Sequence, residues 1–159
     1  MSVPTSPYAK YLGDRDPLAA IRDSIDRVET LVREWPVNRF DRSYAPGKWS
    51  ARQLLTHLAQ TEMGFGYRAR MIVATPAYVA QVWNQDTWMA LEPRLGGRDA
   101  LEAFVAMARM NLVFFEGLSA EQRAIAFTHP EYGSPTVNWI LLHVAGHQIH
   151  HLRQLEQIP

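Results

Sequence analysis

The stretch TVNWILLHVAGHQIHHLRQLEQ, residues 136–157, decides how the chain is read. Thr136 is a helix-capping residue type, and Val137, Ile140, Val144 and Leu155 return at helical spacing. One long amphipathic helix is therefore expected. Four of the six histidines, His143, His147, His150 and His151, crowd into this segment. On a wheel of about 100° per residue, His147 and His151 fall among the apolar positions. His143 and Gln154 lie to one side and His150 further out. Residues four apart stand one above the other, with Cβ atoms roughly 5–6 Å apart, so two imidazoles there can reach one metal ion.

The rest of the chain supplies partners for that helix. Over residues 16–35, Asp16 is a candidate cap, Pro17 suits the first helical position, and Leu18, Ile21, Ile25, Val28, Leu31 and Val32 form a stripe that Pro36 ends. A second helix starts at Ser50, where Ser50 and Gln53 make a capping box with Trp49 as a staple. Leu54, Leu58, Thr61, Phe65 and Ile72 share its face, Gly64 and Gly66 do not end it, and Pro76 does. A third helix runs over residues 98–117, striped by Leu101, Phe104, Val105, Ala108, Leu112 and Phe115, with Gly117 as its C′ residue. Ser119 and Gln122 form another capping box opening a short turn or helix. Residues 76–97, with Tyr78, Trp83 and Trp88, read as a short helix or loop with an aromatic anchor. THPEYGSPT is a loop with a hint of extended structure. The fold expected is all-α, a four-helix bundle with short extra helix or loop segments, as a single domain over residues 1–159.

Composition narrows the function classes. Lys+Arg and Asp+Glu are 16 each, so the chain lacks the field that draws proteins to nucleic acid or anionic lipid. Balanced charge also weakens colloidal repulsion, which fits a homodimer. With no cysteine there is no disulfide, thiolate ligand or cysteine nucleophile, and a metal must be held by His and carboxylate. No apolar run approaches the roughly 20 residues that span a bilayer. MSVPTSPYAKYLGDRD carries no apolar signal core, so no membrane is expected and the expected compartment is the cytoplasm.

Two ligands make a weak site, and the third must come from another helix. His57 alone among the remaining histidines lies on one, beside the Leu54, Thr61 and Phe65 stripe. Hydrogen-bonded core histidines are the rival explanation, because HxxxH also arises by chance in a His-rich run.

Two segments carry a family resemblance. YAPGKWSARQLLTHLAQTE, residues 44–62, and GSPTVNWILLHVAGHQIHHLRQLEQI, residues 133–158, resemble the second-helix entry and the last helix of the DinB/YfiT-like superfamily of metalloenzymes. YLGDRDPL, residues 11–18, is similar as well. Arg153 departs from the pattern, standing beside Gln154 where many relatives have Gly. The resemblance implies a four-helix bundle with a divalent ion on His57, His147 and His151, the same three that the wheel selects. It also implies hydrolase-like or thiol-dependent transferase and isomerase chemistry on a small-molecule substrate. Three neutral imidazoles suit Zn, Ni or Fe and leave the identity open. Since the chain has no cysteine, any low-molecular-weight thiol must be a cosubstrate.

Catalytic candidates are few. Glu62, five residues after His57, is a weak candidate base, with a surface or helix–helix ion pair the simpler expectation. Gln154 is placed to orient a ligand, and His143 to stand behind the metal ligands. Asp86 either reaches the cleft or caps a loop. His150 is expected at the surface and His129 in a loop. Trp49 and Trp139 read as packing residues. Tyr67, Trp83 and Trp88 are candidate pocket walls, and Arg68, near the His57 face, is more inward than Arg70. The rival functions are a non-catalytic metal- or ligand-binding dimeric stress protein, and a metal-free helical dimer with a pH-responsive histidine interface.

Overall fold

A computed structural model describes residues 5–159, so the first four residues of the polar N-terminal stretch lie outside it. The described helices are α1 (Ala9–Leu12), α2 (Pro17–Val32), α3 (Ala51–Ala74), α4 (Gln85–Leu91), α5 (Gly97–Glu116), α6 (Ala120–Arg123) and α7 (Val137–Leu155). A 3-10 turn spans Val37–Asp41. The four long helices close a ring in which α2 touches α5 and α7, and α3 touches the same two from the other side. Apolar stripes from all four meet inside, with Ile21, Ile25, Leu54, Leu58, Phe104, Phe115, Ile140 and Leu155 essentially sealed from solvent. No helix among the described residues is long and apolar enough to cross a membrane.

Local signals set the helix starts. The Asp16 side chain accepts from the Ala19 N–H with Pro17 behind it. Both capping boxes are complete, Ser50 with Gln53 and Ser119 with Gln122. The Thr136 side chain accepts from the Trp139 N–H. The ends are less faithful to expectation. The first long helix stops at Val32 rather than at residue 35, because a residue before proline is pushed out of the α region and Trp35 turns back onto the Val32 carbonyl. Gly117 is not a left-handed C′ residue. Its φ is −77°, and the chain turns on through Leu118 into the next capping box.

The connectors close one end of the bundle. Residues 78–80 pair with Thr128 through Ala80 N–H to Thr128 O (2.8 Å) and Thr128 N–H to Tyr78 O (3.1 Å). His129 and Gly133 exchange backbone hydrogen bonds at 2.7 and 2.9 Å, and Gly133 supplies the positive φ of 71° that this hairpin needs. Two loops thus form one wall. The segment around α1 lies on α7, where Gly146 has no side chain and a Cβ would stand 2.2 Å from the Tyr8 carbonyl oxygen.

That close approach is testable. Alanine is the better helix former by about 1 kcal/mol. A backbone clash of this depth outweighs that gain, and overpacking costs about 1–3 kcal/mol. Gly146→Ala is therefore expected to lower the melting temperature by several degrees in circular dichroism. An unchanged or raised value would show that the N-terminal segment is not docked there.

Candidate metal centre

Ser50 fixes where α3 begins, and His57 follows two turns later on the side facing α7. His147 and His151 come from α7 at i, i+4. All three are buried, at 6%, 4% and 5% exposure. Their Nε2 atoms converge, with His147 3.0 Å from His57 and 3.0 Å from His151. One ligand atom from each lies within 4.8 Å of the others, the one such cluster of three among the described residues.

The surrounding hydrogen bonds set the ring orientation. His151 Nδ1 lies 2.6 Å from Gln154 Oε1, and an amide oxygen only accepts, so the His151 proton is assigned to Nδ1 and the Nε2 lone pair faces the cluster. Gln154 is itself held by donating to the Tyr44 hydroxyl at 3.1 Å. Arg153 is exposed beside it and leaves this arrangement intact. Thr61 donates to the His57 carbonyl at 2.7 Å, and the Trp49 ring stands 4.9 Å from the His57 ring.

Burial holds the imidazoles neutral. His57 is lowered to about 4 by burial and then by His150. His151 is lowered to about 3 by burial and then by His57, against the raising effect of Gln154. His147 lies well below the usual histidine range through burial, with His151 next. Imidazole nitrogens 3.0 Å apart are held together by a shared proton or by an electrophile among them. Ligands on bonds of about 2.1 Å stand about 3.0–3.4 Å apart in octahedral or tetrahedral geometry. The donor set therefore fits a divalent ion.

Two clefts open onto this cluster. The larger, about 360 Å³, is lined by His57 and His147 together with Tyr8, Thr61, Phe65, Arg68, Trp83, His129, Tyr132 and His143. The second, about 330 Å³, is lined by His151, Gln154, Tyr44, Trp49 and Asp86. Tyr8 and Gln85 border both.

The other sequence candidates fall into place around them. His143 joins the larger cleft; its Nδ1 meets Ser6 Oγ at 3.1 Å and its ring stacks on Trp139. His150 is only partly exposed, against Tyr8, Tyr11 and His151. Asp86 is exposed at the second cleft, and the α4 cap is Asn84, not Asp86. Trp83 is a cleft wall with Trp88 stacked behind it at 5.3 Å, whereas Tyr67 is 62% exposed and lines neither cleft.

Glu62 corrects the expectation of a surface site or an ion pair. It is buried among α3, α5 and α7, accepting from Asn111 Nδ2 at 2.8 Å and Gln148 Nε2 at 2.7 Å. The turn opposite His57 is not solvent-facing, because α5 and α7 enclose α3 on both sides. Glu62 lines neither cleft. Tyr8 and His129 had no assigned role in the sequence reading. Gly146, the position that lets Tyr8 approach, was the available signal for the former; nothing local marks the latter.

A scan against family models matches residues 20–155 to the DinB superfamily. The chain belongs to the DinB superfamily. It is similar to two Oceanobacillus iheyensis proteins. It is 26% identical to "Putative metal-dependent hydrolase OB0782" over 87% of this chain and 85% of that one. It is 21% identical to "Putative metal-dependent hydrolase OB0413" over 87% and 81%. Bacillus subtilis YfiT, described as "a probable metal-dependent hydrolase with an unusual four-helix bundle topology", shares the fold. The TM-score is 0.80 at 17% identity, covering 89% of this chain and 83% of that one.

Two pH dependences follow in metal-free protein. Histidines depressed below 6.5 in the fold bind fewer protons than the unfolded chain, so stability is full above about pH 6.5 and falls as pH drops toward 3–4. The melting temperature after chelation should decline between pH 7 and pH 5; a flat profile would show these rings to be solvated. Glu62 acts oppositely. Burial raises its pKa above 4.5, so its contribution is fully present below that value and is lost as pH rises through the raised one. Glu62→Gln should therefore cost less stability, relative to wild type, at pH 8 than at pH 5. A cost that grew with pH would mean an ionised, stabilised carboxylate.

Proposed function

We propose that the protein is a metal-dependent hydrolase acting on a small molecule bound in the larger cleft. The observation that carries this reading is the convergence of three neutral imidazole Nε2 atoms beside an open cleft. The hydrolase names of its relatives support the same class. A divalent ion there would supply Lewis-acid chemistry, lowering the pKa of a bound water to about 7 or holding a bound thiol as thiolate.

The chain's own residues do the rest. His57, His147 and His151 would hold the ion as neutral donors. Gln154 locks the His151 tautomer, so its Nε2 lone pair stays on the site. Tyr8, whose ring lies 4.9 Å from that of His147, covers the cluster and limits water on that side. Phe65 and Trp83 wall the cleft against which an apolar substrate body rests.

A second reading has its own observation. Two clefts flank the same cluster and meet at Tyr8 and Gln85, which gives room for a small thiol on one side and an electrophile on the other. In that reading the protein is a thiol S-transferase, and the thiol is a cosubstrate because the chain has no cysteine.

Elemental analysis of protein purified without a His-tag should find about one ion per chain in wild type and none in His147→Ala. Turnover of activated esters and amides without thiol supports the hydrolase. Product that forms only with a thiol, as an S-adduct by mass spectrometry, supports the transferase. One ion with no turnover leaves the non-catalytic metal-binding protein. No ion even with added Zn²⁺, Ni²⁺ or Fe²⁺ overturns the proposal.

A further inference from the structure

We propose that Arg68 is the anion anchor of the larger cleft and that the substrate carries a carboxylate which pairs with it. This rests on the cleft being the substrate site, as above, but not on which ion the histidines hold.

Arg68 stands eleven residues after His57 on α3. That is close to three turns, so it returns to the face of His57 roughly 16 Å further along the helix. Long helical side chains lean toward the N-terminus, which carries the guanidinium back toward the histidines. Both residues line the same cleft.

The guanidinium is buried without a counter-ion. Arg68 is 5% exposed, and no carboxylate among the described residues comes within ion-pair distance. One nitrogen, Nη2, donates to the Gln81 carbonyl, which leaves most of its five donor positions to the cleft. The guanidinium carbon lies 4.7 Å from the Trp83 ring centre and 5.4 Å from that of Phe65. These rings steady the cation without neutralising it. Glu131 lies exposed at the rim and forms no ion pair among the described residues. A buried cation with no counter-ion is costly to keep in a fold. An anionic ligand removes that cost.

A second donor faces the same volume. The backbone N–H groups of Glu131 and Tyr132 donate to His129 Nδ1 at 3.1 and 3.3 Å, so the proton of the neutral ring is on Nε2. His129 is buried and lines the cleft. A guanidinium and an imidazole N–H, with aromatic walls between them and the metal cluster, match a molecule with a carboxylate at one end and its reacting centre at the other. Arginine pairs with carboxylates through two parallel hydrogen bonds, which fixes direction as well as position.

Tryptophan fluorescence reads this directly, since Trp83 is in the wall. The probes are phenylacetate against phenylacetamide and hexanoate against hexanamide, titrated into wild type, Arg68→Gln and Arg68→Lys. Each acid should bind wild type at least about tenfold more tightly than its amide, the usual strength of one charged hydrogen-bonded pair. Arg68→Gln should abolish the preference, and Arg68→Lys should keep part of it. The same titrations in chelator-treated protein and in His147→Ala separate Arg68 from a bound ion. A preference surviving there belongs to Arg68; one that vanishes with the ion overturns the proposal. So does equal binding of acid and amide, binding of neither acid, or a preference undiminished in Arg68→Gln. A crystal structure with phenylacetate decides the matter even if that variant does not fold: its carboxylate on Arg68 supports the anchor, and its carboxylate elsewhere refutes it. Loss of the metal reading would show separately, as wild type without an ion.

Discussion

The site in this molecule is built on the convergence of three buried imidazoles. His57 and His151 each bring Nε2 to 3.0 Å from that of His147 inside a largely apolar bundle. Protonating any of them means charging a buried ring, which burial resists. Leaving them bare wastes the hydrogen-bonding capacity of buried polar atoms. A divalent cation relieves both difficulties at once. The four-helix scaffold supplies the stiffness that holds donors so close before any ion arrives, because α3 and α7 are packed on each other and clamped from both sides by α5 and α2.

Around this cluster the polar groups divide by purpose. Gln154 and Tyr44 hold one ligand in its tautomer. Glu62, Asn111 and Gln148 form an internal knot between three helices, with Arg70 reaching Asn111 at 2.8 Å. Gly66 makes room for that knot, since a Cβ there would sit 2.3 Å from Asn111. The knot contributes to how the helices register and lies apart from either cleft.

The bundle was legible because its signals are local. Capping boxes at Ser50 and Ser119, the cap at Thr136 and proline at Pro17 each act within one turn, so their sequence spacing is their structure. The convergence of the three histidines was legible because i, i+4 on a helix is a fixed distance and only one other helix bore a histidine. Glu62 was misread because a wheel gives the direction of a side chain but not what lies there, and α3 is covered on more sides than one apolar stripe suggests. Tyr8 and His129 were invisible as site residues for a related reason. Tyr8 reaches the cleft through a segment docked on Gly146, and His129 through a connector that Thr128 ties to residues 78–80, and no periodicity encodes such pairings.

The pairing of residues 78–80 with Thr128 has a wider consequence. The three clustered histidines all stand on two long helices, whereas Trp83, His129 and Tyr132 stand on the two connectors that this pairing joins. Part of the larger cleft's wall thus stands apart from the histidines, while Phe65 and Arg68 share α3 with His57. The connectors can change length and composition without moving a single donor nitrogen, since surface loops tolerate what packed helices do not. A lineage built on this plan can reshape one wall of the cleft by rewriting two short loops, while the histidine cluster passes unaltered from ancestor to descendant.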